Sequence, residues 1–79
     1  MKIFEIVSNR KPMFISLDKI QVISSIHHHV STNGLGSSHW YFEVGFANRT
    51  ITFEYMTDKF TLGGVESIWN NLIEDWRNA

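Results

Sequence analysis

The apolar residues of this 79-residue chain change their spacing once, at Gly63-Gly64, and that change limits what the chain can build. Beyond it, Val65, Ile68, Trp69, Leu72, Ile73 and Trp76 fall at i, i+3, i+4, i+7, i+8 and i+11, one unbroken stripe along a helix. Glu66, Asn70, Asn71, Glu74 and Arg77 fill the rest of the circumference. Gly63-Gly64 marks the expected start, with Glu66 in the first turn, where a carboxylate suits the positive end of the helix dipole.

Before the change the spacing is two, the signature of half-buried strands. From Asp18 to Val30, Ile20, Val22, Ile26 and Val30 share one parity with Ser24 and His28. Lys19, Gln21, Ile23, Ser25, His27 and His29 share the other. Trp40, Phe42, Val44 and Phe46 then alternate with Tyr41, Glu43, Gly45 and Ala47, and Ile51, Phe53 and Tyr55 with Thr52, Glu54 and Met56. A two-residue turn at Asn48-Arg49 pairs Val44 with Phe53, Phe42 with Tyr55 and Glu43 with Glu54. Across the loop Ser31–Ser38, whose Asn33-Gly34 and Gly36 suit positive φ, the expected register sets Val30 opposite Trp40. His27 then faces Glu43, and His29 faces Tyr41. At the N-terminus, Lys2–Val7 and Met13–Leu17 read as a hairpin around Ser8–Pro12 that is apolar on both parities, so either both faces are covered or one meets a partner.

The expected fold is α+β: a single small domain, residues 1–79, with an antiparallel meander of four to five strands and one C-terminal amphipathic helix packed on one face. A chain this short buries only about 60% of the surface its unfolded form exposes, which leaves a thin margin of stability, so the helix is needed to cover the sheet.

Seven Lys+Arg against eight Asp+Glu give a net charge of -1 with no basic block, which removes the electrostatic footprint of a nucleic-acid or anionic-membrane binder. With no Cys there is no disulfide framework, no thiolate nucleophile and no thiolate metal site. The longest apolar runs, such as Met13-Phe14-Ile15 and Trp40-Tyr41-Phe42, are far shorter than the ~20 residues that span a membrane, and a cytoplasmic protein is expected. A nucleophile elbow and a phosphate-binding loop are both missing, so the expectation is no enzyme.

Three function classes follow. The leading expectation is a non-enzymatic protein-interaction module, a small regulator or inhibitor of the kind phages encode, acting on a protein partner and pairing with a second copy as a homodimer. Its contact residues would be Tyr41, Met56 and Ile23 on the polar face of the sheet and Phe14 on the second side of the hairpin. The alternative is a metal- or pH-responsive module built on a row of His27, Glu43 and Glu54, with His29 adjacent. Two facing carboxylates repel, and a bound Zn²⁺ or a protonated imidazole would relieve them; no other cofactor is expected. Third is stacking of single-stranded nucleic acid, disfavoured because most aromatics belong to the core face and the cations are scattered.

Overall fold

The computed structural model describes residues 2–8, 12–30 and 38–79. The fold is α+β, built from antiparallel sheets and one C-terminal helix. Strands β1 (Ile3–Ile6) and β2 (Met13–Ser16) form a two-stranded sheet of their own. Their register pairs Phe4 with Ile15 and Ile6 with Met13, so odd residues of one strand share a face with even residues of the other. That resolves the double-sided apolar pattern: Ile6 and Ile15 are buried, while Ile3 and Phe14 point away and stay exposed. The chain then turns through a short 3-10 segment, Leu17–Lys19, where the Leu17 N–H donates to the Lys2 carbonyl and the Leu17 side chain enters the core. The connection around Ser8–Pro12 and the loop at 31–38, with its glycines, fall largely outside the described residues.

Strands β3 (Val22–Ile23), β4 (His27–His29), β5 (His39–Phe46) and β6 (Arg49–Met56) make the second sheet. Both β3 and β4 pair with β5 along one side, and β6 takes the other. The single strand expected from Asp18 to Val30 is therefore broken. Ile23 pairs with Val44 and His27 with Tyr41, so Ser24, Ser25 and Ile26 cover a stretch that Phe42 and Glu43 cover on β5. This is a bulge of one extra residue, and it shifts the alternation by one. Serine makes it stable: the Ser24 N–H donates to the Glu43 carbonyl, and the Ser24 hydroxyl accepts the Glu43 N–H at 2.8 Å in place of a backbone carbonyl. Ile23, expected on the polar face, instead sits beside Val44 against the core, and Val22 turns outward, 58% exposed.

The turn between β5 and β6 also moves. Phe46 pairs with Arg49, which leaves Ala47-Asn48 as the two-residue turn and puts Arg49 in the strand. Phe42 thus faces Phe53, Trp40 faces Tyr55, and Glu43 faces Thr52 rather than Glu54. The slip from the expected register is two residues, which leaves every side chain on its original face.

Helix α1 spans Leu62–Arg77. It begins earlier than expected because Thr61 caps it: the Thr61 hydroxyl accepts the Gly64 N–H at 3.0 Å, and no acidic residue stands in the first turn. Val65 and Leu72 are fully buried, and Ile68, Trp69 and Trp76 pack around them. They close a core with Ile6, Ile15, Leu17, Ile20, Phe42, Val44, Phe53 and Tyr55. Among the described residues no helix is long and apolar enough to cross a membrane.

Candidate functional site

Burying Phe42, Val44, Phe53 and Tyr55 beneath α1 commits the intervening residues of β5 and β6 to the opposite, outer face. There His39 pairs with Met56, Tyr41 with Glu54, Glu43 with Thr52 and Gly45 with Thr50. On the neighbouring edge His27 faces Tyr41 and His29 faces His39. The rings fall into one cluster. His27 stacks on Tyr41 at 5.2 Å between centroids, His29 meets His39 at 5.0 Å, and His39 meets Tyr41 at 5.8 Å. Glu54 joins them through His39, whose Nε2 lies 3.6 Å from its carboxylate.

The carboxylate–imidazole row expected from the sequence does not form. His27 lies beside Tyr41, not Glu43, and Glu43 and Glu54 are not paired with each other. Both inter-strand registers differ from the expected ones by a two-residue slip, so the faces are kept while the neighbours change. Among the described residues no group of three or more His, Asp or Glu side chains is placed to hold a metal ion.

Of the residues expected at a partner surface, Tyr41 and Met56 are half-buried on the outer face, Ile23 belongs to the core side, and Phe14 is 67% exposed on the hairpin. His28 points to the opposite side from His27 and stacks on Trp40 at 5.7 Å, at the rim of the core face.

The structure adds a second feature. The hairpin packs its β2 strand and the 3-10 segment beside the β5–β6 turn, enclosing a cleft of about 460 Å³. Phe14, Ser16, Asp18 and Lys19 line one side, and Phe46 and Arg49 the other. The Arg49 guanidinium lies over the Phe46 ring, 5.9 Å from its centroid. Arg49 was expected in a turn and Lys19 on a strand face. Two residues thirty positions apart meet here through tertiary pairing: the Gln21 N–H donates to the Gly45 carbonyl and Val22 pairs with Gly45, which lays the segment after the hairpin alongside the β5–β6 turn.

Comparison with known protein families, with curated proteins and with solved structures finds no match to this chain.

Proposed function

We propose that this chain is a non-enzymatic protein-interaction module that occupies a partner's surface with the outer face of its second sheet. The ring cluster of His27, His29, His39 and Tyr41 carries this reading. Four planar side chains, set side by side by strand pairing, offer a pre-ordered platform that loses little rotamer freedom on contact. Met56 and the Glu54 carboxylate flank it, and aromatic and Met groups with a polar surround are common at protein interfaces. A matching surface would stack a planar or aliphatic group on the rings and set a cation or N–H donor against Glu54. Among the described residues β6 pairs with β5 alone, which supports a second copy of the chain as one such partner.

A photo-reactive residue in place of Tyr41 tests this in the native host, with the same group at the exposed helix position Ser67 as control. The expected result is one discrete cross-linked protein from position 41, lost when Met56→Ala is added, and none from position 67. Equal labelling from both positions, or none from 41, would refute the reading. A cross-link between identical chains would identify the partner as a second copy.

A further inference from the structure

We propose that the cleft between β2 and the β5–β6 turn is a recognition site for an acidic peptide segment of a partner protein that carries an aromatic side chain. This does not rest on the outer-face reading, since the cleft lies elsewhere on the chain. Its lining holds two cations, Lys19 and Arg49, against the single carboxylate of Asp18, on a chain whose overall charge is -1. Among the described residues neither cation has a carboxylate within ion-pair distance, the one such pair being His39–Glu54. Two unneutralised cations beside apolar walls make a site complementary to negative charge.

The geometry selects the kind of anion. Arg49 lies over the Phe46 ring, an arrangement that holds the guanidinium in place and leaves its N–H edge open to a carboxylate. Phe14 and Phe46 supply apolar contact for a ring between them. The volume is that of a small-molecule pocket, yet the Phe14 ring at the margin is 67% exposed. An open wall of this kind suits a side chain presented by a peptide better than a molecule that must be enclosed on all sides.

The test is a titration of ¹⁵N-labelled protein with the peptide acetyl-Gly-Glu-Phe-Glu-Gly-amide, read by amide chemical shifts. Shifts confined to residues 14–21 and 46–49 are expected. Lys19→Gln with Arg49→Gln should weaken binding about tenfold or more. Phe14→Ala, at an exposed position that leaves the core intact, should weaken it as well. The peptide with Lys in place of both Glu should cause no shift. The proposal is overturned by no shift at about 1 mM glutamate peptide, by equal shifts with the lysine peptide, or by an unchanged affinity in the double variant. Binding of N-acetylphenylalanine as tight as that of the peptide would overturn the peptide assignment.

Discussion

The indole Nε1 of Trp69 donates to the carbonyl of Ser24 at 2.8 Å, so the helix grips the sheet at the bulge. Because the bulge interrupts regular pairing, that carbonyl relies on the indole for its partner. Trp69→Phe should lower stability by about 1 kcal/mol, a fall of roughly 4–8 °C in Tm for a domain of this size. Thermal unfolding by circular dichroism would show it, and an unchanged midpoint would mean that the contact contributes nothing.

The Ser24 hydroxyl stands in for a strand carbonyl toward the Glu43 N–H. Ser24→Ala should therefore speed hydrogen exchange at the Glu43 amide specifically, with a loss of about 1 kcal/mol. Ser24→Thr, which keeps the oxygen, should retain the protection. Exchange rates at Glu43 in the three proteins would decide.

A Cβ built on Gly45 would lie 2.5 Å from Cγ1 of Val22, the residue paired with it. Val is stiff at χ1, so it cannot swing aside freely. Gly45→Ala should cost about 1–3 kcal/mol. Adding Val22→Ala, at a position already 58% exposed, should restore most of it. Denaturant melts of the four proteins form the cycle, and additive effects would contradict the steric account.

Tyr55 is fully buried, its hydroxyl has no hydrogen-bond partner among the described residues, and burial raises the phenol pKa above its ordinary value. The unfolded chain ionises this group near pH 10 while the folded one keeps its proton. The resulting stability is complete below that pH and is lost as pH rises through it, at up to about 1.4 kcal/mol per pH unit. Tyr55→Phe should remove that component, and near neutral pH should be neutral or mildly stabilising because it deletes an unpaired polar atom. Urea melts at pH 8 and above pH 10 test both statements; a parallel decline in both proteins would disprove the first.

The two glycines of the first helical turn differ. A Cβ on Gly63 meets nothing within 4 Å, whereas one on Gly64 would come 3.3 Å from the Thr61 hydroxyl that caps the helix. Gly63→Ala should stabilise the protein by about 0.5–1 kcal/mol. Thr61→Ala should destabilise it by about 1 kcal/mol through loss of the cap. Opposite signs in the two melting shifts are the expected outcome.

What the sequence revealed, and what it did not, divides along physical lines. The stripe from Val65 to Trp76 specified α1, because the period of a helix and that of a strand cannot be confused over this length. The alternation around Phe42 and Phe53 specified the buried face of β5 and β6. Pairing partners were not legible, because a two-residue slip preserves that alternation. Glu43 opposite Thr52 and Glu43 opposite Glu54 satisfy the same pattern. Ile23 was misplaced for a different reason. The alternation reads as unbroken through Ser24-Ser25, where two adjacent serines, able to bond to backbone, are the available sign of a break. The cleft could not be seen at all, since it depends on how the hairpin docks against the β5–β6 turn.

The edge strand thus holds one residue more than its ladder requires. Losing a single codon between Ile23 and Ile26 would leave Ile23 beside Val44 and His27 beside Tyr41, each side chain on the face it now occupies, though without the grip of the indole. The same loss inside β5 would turn half of the interior outward. Length variation in descendants of this gene should therefore collect at the serines and be absent a few ångströms away.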